Sequence, residues 1–177
     1  SDFTLFSKLT SEARVNHIIE KIEEYSVKKD GRKGLVFCSR LEEARELAKQ
    51  FTQRGYKSEA IDGSDSDAER DEVIRKLESG ELEYIFSVNI LNEGVDIPAV
   101  NQIIMLRRTE SSIVFVQQLG RGLRKADNKE STLVLDFIGN YQQNFLIPVA
   151  LSGDKTYNKD RLRAIVKEGS TVIPGAS

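Results

Sequence analysis

Short apolar runs rich in β-forming residues recur along this chain, and amphipathic stretches of about a dozen residues lie between them. The apolar runs fall at residues 35–38, 57–61, 84–88, 102–106 and 132–137. Residues 11–25 carry Val15, Ile18, Ile19 and Ile22 on one helical face. After the first run, Ser39 and Glu42 offer a capping box to a helix with Ala44, Leu47, Ala48 and Phe51 on its apolar face, and Gly55 stops it. Ser66 and Glu69 offer a second box to a helix carrying Val73, Ile74 and Leu77, closed by Gly80. Strand and helix therefore alternate, which is the rhythm of a parallel sheet covered on both faces. The expected fold class is α/β: three layers, with a central, mostly parallel sheet flanked by helices. In such sheets ligands sit outside the carboxyl ends of the strands.

Charge narrows the function classes. Lys and Arg number 26 against 28 Asp and Glu, so the net charge is −2. A module that grips nucleic acid by bulk positive charge is excluded, whereas a local basic strip on one face is not. The single cysteine, Cys38, lies inside an apolar run and reads as a buried core residue; a reducing, cytoplasmic setting is expected. No signal peptide or membrane-length apolar run is legible, and no membrane partner is expected. His17 is the only histidine and has no companion ligand, so it reads as structural and no metal site is expected.

The candidate chemistry lies in three stretches. Gln117-Gln118-Leu119-Gly120-Arg121-Gly122-Leu123-Arg124 follows a run that reads as helical from Ser111. Arg121 and Arg124, three residues apart, share a helical face and form a charged fork suited to a polyphosphate; a solvated basic helix end is the plainer reading. Upstream, Leu91-Asn92-Glu93-Gly94-Val95-Asp96-Ile97-Pro98 describes a tight loop with one aimed carboxylate, Asp96, next to a glycine that permits close backbone approach. A simple loop cap is the plainer reading of Asp96. Third, Gly34-Leu35-Val36-Phe37-Cys38-Ser39-Arg40 reads as a buried strand running into a helix cap. Each stretch falls in or just after a predicted strand end.

These pieces, in this order and spacing over residues 34 to 137, resemble motifs IV, V and VI of the C-terminal RecA-like lobe of superfamily two helicases and translocases. Leu106-Arg107-Arg108-Thr109-Glu110-Ser111, leading into the paired glutamines, looks most like the branch of restriction-enzyme motor subunits and DNA-repair translocases. The resemblance implies the second motor lobe of an ATP-dependent helicase or translocase acting on DNA, with RNA the lesser candidate. It implies Arg124 as the arginine finger, Arg121 as the γ-phosphate sensor and Gln117 as the residue orienting the site. Gly94 and Asp96 would lie near the nucleotide ribose. Ser39 and Arg40 would touch nucleic-acid phosphates, with Gly63 and Ser64 as further contacts; Ser39 is equally a helix cap. Many family members carry a hydroxyl residue where this chain has Val88, so that contact is lost or passes to Ser87, Asn89 or backbone.

An NTPase also needs a phosphate-cradling loop and a metal-binding acid. The nearest loop match, Gly153-Asp154-Lys155-Thr156, has the wrong spacing and reads as a turn, and Asp71-Glu72 lies in a polar helical run and reads as a solvated face. ATP with Mg²⁺ is therefore expected to be held mainly by a preceding RecA-like lobe of the same polypeptide, and this segment alone is expected to be inactive. The expected division is an N-terminal helix and linker over residues 1–33, the RecA-like domain over 34–151, and an extension over 152–177 towards a further region. The alternative is a RecA-like nucleotide-sensing or interaction domain without motor activity, against which Asp96, Arg121 and Arg124 argue. A small-molecule α/β enzyme would need a G-x-G-x-x-G after the first strand, and none is present.

Overall fold

The computed structural model describes residues 2–26, 31–88, 100–107, 131–137 and 145–150. Its elements, in chain order, are α1 (Asp2–Leu9), α2 (Glu12–Tyr25), β1 (Gly34–Phe37), α3 (Leu41–Gln53), β2 (Ser58–Asp62), α4 (Asp67–Ser79), β3 (Tyr84–Val88), β4 (Gln102–Met105), β5 (Ser131–Asp136) and β6 (Phe145–Ala150). The strands form one sheet in the order β2-β3-β1-β4-β5-β6. Every pairing from β2 to β5 is parallel, and β6 runs antiparallel to β5. The α/β, RecA-like layering expected from the alternating pattern is the fold observed.

Burial explains why the central strands lack alternation in sequence. Both faces of β1, β3 and β4 are covered, and every residue in them is buried. One face carries Val36, Tyr84, Phe86, Ile104 and Leu135 against Val15, Ile18 and Ile22 of α2 and Leu47 and Phe51 of α3. Phe51 lies edge-on to Phe86 at 4.9 Å and to Tyr84 at 5.6 Å, a favoured aromatic geometry. The alternate strand residues Leu35, Ile85, Ile103 and Met105 are buried as well.

Local chemistry sets the helix ends. Ser11 caps α2 by accepting from the Arg14 N–H, and Ser66 with Glu69 completes the expected capping box on α4. Gly80 ends α4 at φ 84°, a left-handed conformation that favours a residue without Cβ. Two elements were not legible in sequence. The end of α1 is held by one local and one distant contact: Arg14 Nη1 donates to the Leu9 carbonyl at 2.9 Å, and Gln50 Nε2 of α3 to the Thr10 carbonyl at 2.8 Å. The β6 strand contains Pro148, which cannot donate to a ladder; it is tolerated on the outermost strand of the order, opposite Leu133.

The amino ends of the strands are tied by a polar network. Tyr84 Oη donates to Gln102 Oε1 at 2.8 Å, and Gln102 Nε2 donates to Ser26 Oγ at 2.8 Å. Arg32 pairs with Glu23 at 2.8 Å and lies over the Tyr56 ring, whose hydroxyl also donates to Glu23. Burial pushes the Tyr84 phenol well above its ordinary range. These contacts pin the amino end of the sheet.

Candidate nucleic-acid interface

The strand order reverses between β1 and β4. The chain leaves β1 towards β2 on one side, and leaves β4 towards β5 on the other. A crevice at the carboxyl ends of such a pair is where α/β sheets bind ligands. The sheet stays in register up to that edge: Cys38 N donates to the Ser87 carbonyl at 2.9 Å, and Leu106 N to the Phe37 carbonyl at 3.0 Å. Ser39 and Arg40 leave β1 here, beside Arg107, which leaves β4 exposed. The Arg107 N–H donates to the same Phe37 carbonyl at 3.3 Å, so β4 leaves the sheet beside the end of β1.

The capping box expected at Ser39 and Glu42 does not form. Arg40 is the N-cap residue of α3, in extended conformation and without a side-chain cap bond. The Ser39 hydroxyl instead donates to Glu43 Oε2 at 2.6 Å. The reason is burial. Glu43 is 2% exposed, and a buried carboxylate must collect donors. It accepts the Ser39 hydroxyl on one side and is paired in charge on the other with Arg14, whose Nη1 lies 3.6 Å from Oε1. Neighbouring Cys38 is buried too, and its thiol is pushed well up by burial, with the Glu43 charge adding and Arg14 partly opposing. It stays protonated and inert.

Gly63 and Ser64 form an exposed turn after β2. Asp62 Oδ1 accepts from both the Ser64 N–H and the Ser64 hydroxyl. These bonds, the hydroxyl's first, hold the Asp62 carboxyl below its ordinary range. A phosphate at Ser64 therefore has to displace an ionised carboxylate. Val88 ends β3 in the core, and the buried Ser87 hydroxyl donates to the Val36 carbonyl at 3.0 Å. Ser87 is thus committed to the sheet, which leaves Asn89 or backbone to replace the hydroxyl that Val88 lacks. Asp71 and Glu72 lie exposed on α4, where Glu72 pairs with Arg75 at 2.8 Å. His17 packs edge-on against Phe137 at 6.0 Å. Asn89, Gly94, Asp96, Gln117, Arg121 and Arg124 lie outside the described residues.

Sequence reasoning gave no role to Glu43 and Arg14, and read Arg107 only within the stretch that resembles the restriction and repair branch. A signal for Glu43 existed: it precedes Leu47 by four residues and Phe51 by eight, which puts a carboxylate on the buried face of α3. Arg14 likewise precedes buried Ile18 by four. Among the described residues no helix is long and apolar enough to cross a membrane.

Comparison with known proteins bears on the family and the fold. A family model described as the helicase conserved C-terminal domain matches residues 14–126. A 141-residue stretch is 30% identical to the protein named "Putative ATP-dependent helicase IRC3" of Saccharomyces cerevisiae, and covers 78% of this chain but 20% of that protein. A 153-residue stretch is 26% identical to the ATP-dependent RNA helicase SrmB of Haemophilus influenzae, covering 86% of this chain and 33% of that protein. In structure, the Hef helicase domain of Pyrococcus furiosus superposes with a TM-score of 0.51 at 22% identity, over 63% of this chain and 23% of that one. The chain thus spans about a fifth to a third of the length of these two relatives. The match over more than half of the chain, and the sheet that carries it, make the chain a member of the helicase conserved C-terminal domain family, the second RecA-like lobe of superfamily two helicases.

Proposed function

We propose that this lobe completes the ATP site of a nucleic-acid motor and forms part of its track, with DNA as the substrate. The observation that carries the track reading is the bond from the Arg107 N–H to the Phe37 carbonyl, which sets exposed Arg107 beside the strand end that leads into Ser39-Arg40. Few contacts of this kind, all to phosphate, suit a translocating protein, because phosphate contacts position without reading sequence.

In this reading Arg124 is the arginine finger and Arg121 senses the γ-phosphate, with Gln117 orienting the site and Gly94 and Asp96 beside the ribose. An arginine supplied across a cleft is worth about 10³–10⁵ in rate. Support comes from the family match, whose span takes in all five residues. ATP and Mg²⁺ would be held mainly by the preceding lobe, since the acids Asp71 and Glu72 lie on an exposed helix face. Bound Mg²⁺ would neutralise charge on the transferring phosphoryl group. Closure of two lobes on ATP and reopening after hydrolysis would move the phosphate contacts along a strand.

DNA is preferred because residues 106–124 resemble the restriction and repair branch. The likeness to SrmB, an RNA helicase by name, makes RNA the competing substrate. The deciding experiment measures ATP turnover by the full-length protein with single-stranded DNA, duplex DNA and RNA. Stimulation by RNA alone would overturn the DNA assignment, and no stimulation by any of them would overturn the motor.

A further inference from the structure

The Ser39 turn holds a contact whose direction matters. A hydroxyl has one proton to give, and Ser39 gives its proton inward, to Glu43 Oε2 at 2.6 Å. Glu43 is buried and is braced from the other side by Arg14 of α2, whose side chain is 9% exposed. Arg14 in turn donates to the Leu9 carbonyl at 2.9 Å, so the brace reaches back to α1. Two partners, one from the turn after β1 and one from α2, therefore converge on a carboxylate in the first turn of α3, next to the turn that carries Arg40. A buried carboxylate with no donors is costly, so the arrangement fixes the turn rather than merely tolerating it.

We infer that Glu43, braced by Arg14, is a positioning residue for the nucleic-acid contact made by Arg40, and that Ser39 serves as its anchor rather than as a phosphate donor. Glu43 touches no substrate. It acts by holding Ser39, and through Ser39 the backbone that presents Arg40. The inference rests on the track reading above and adds a division of labour within it: Arg40 meets the phosphate, whereas Ser39, Glu43 and Arg14 aim it. Losing aim weakens binding without changing how many phosphates are neutralised, so affinity and salt dependence separate.

The test uses the full-length protein with Arg40→Ala, Glu43→Gln, Ser39→Ala and the Arg40→Ala/Glu43→Gln pair. Binding to single-stranded DNA is titrated across a salt series, and DNA-stimulated ATP turnover is measured alongside. Arg40→Ala should lower affinity and reduce the log–log salt slope by about 0.7. Glu43→Gln and Ser39→Ala should each weaken binding by up to about tenfold with an unchanged slope. The DNA concentration for half-maximal turnover should rise while maximal turnover stays. In the Arg40→Ala background Glu43→Gln should add no further loss, because the residue it aims is gone. A purely structural Glu43 would instead give losses that add to those of Arg40→Ala, and that outcome overturns the inference alone. So does wild-type affinity in Glu43→Gln or Ser39→Ala. An unchanged affinity in Arg40→Ala overturns the contact reading of the turn, and the inference with it. Should Glu43→Gln fail to fold, Ser39→Ala, which leaves the Arg14–Glu43 pair intact, takes its place beside Arg40→Ala: no added loss in that double variant supports the anchor, and an added loss overturns it in favour of a donor.

Discussion

Replacing Gly34 by alanine should destabilise this domain by an amount set by one ring. Gly34 opens β1 opposite Tyr84, and a Cβ built there would lie under 3.0 Å from both Cδ1 and Cε1 of Tyr84 and 3.4 Å from its Cγ. The ring has little room to yield. Tyr84 is fully buried, its hydroxyl donates to Gln102 at 2.8 Å, and it packs edge-on against Phe51 at 5.6 Å. Forcing an extra methyl into such a site costs about 1–3 kcal/mol. If the ring gives way and strands the Gln102 acceptor, a further cost of about 1–3 kcal/mol follows. Restricting the unfolded chain returns about 0.4–1 kcal/mol. The net expectation is about 3 kcal/mol, or a melting point lower by about 6–12 °C for a chain of this size. Urea unfolding followed by far-UV circular dichroism measures it, since the chain has no tryptophan to report. Tyr84→Leu should relieve the clash, so the double variant should be more stable than the sum of the single losses by at least about 1 kcal/mol. A change under about 0.5 kcal/mol in Gly34→Ala, or strict additivity in the double variant, refutes the steric account.

Four further outcomes are expected. In the full-length protein Arg124→Ala should reduce ATP turnover by about 10³ or more with nucleotide binding largely kept; wild-type turnover removes the finger assignment. The 177-residue chain alone should hydrolyse ATP negligibly with or without DNA, and steady stimulated turnover by the pure chain would refute the two-lobe reading. Neutralising Arg107 by alanine in the full-length protein should weaken binding equally on two unrelated DNA sequences and lower the duplex salt slope by about 0.9; a loss on one sequence only would mean base readout. Acid should weaken the fold through Asp62, Glu69 and Glu72, whose carboxyls are lowered by hydrogen bonds from the Ser64 hydroxyl, the Ser66 N–H and Arg75 respectively. Because the folded values lie below the unfolded ones, their contribution is present at neutral pH and drains away from about pH 5 downwards. Urea midpoints measured from neutral to acid pH should fall less steeply in Asp62→Asn with Glu69→Gln, and an identical acid limb would refute this.

The sequence by itself determined the parts that rest on neighbours in the chain. Apolar periodicity located β1 to β5, α2, α3 and α4 to within a few residues, because burial selects side chains residue by residue. The Ser66–Glu69 box and the Gly80 stop were legible for the same reason: caps are made within one turn of chain. The order of motif residues was enough to recognise the family. Tertiary structure decided what depends on partners far away. The end of α1 is tied to α3 through Gln50, and β6, which carries Pro148, pairs on the outer side of β5. Ser39 was legible as a hydroxyl at a strand end, yet its proton goes to Glu43 rather than to a helix cap, because packing α3 on the sheet buries that carboxylate and Arg14 of α2 comes to meet it. A charge's need for partners can be read from sequence; which partners reach it is settled only when three elements pack together.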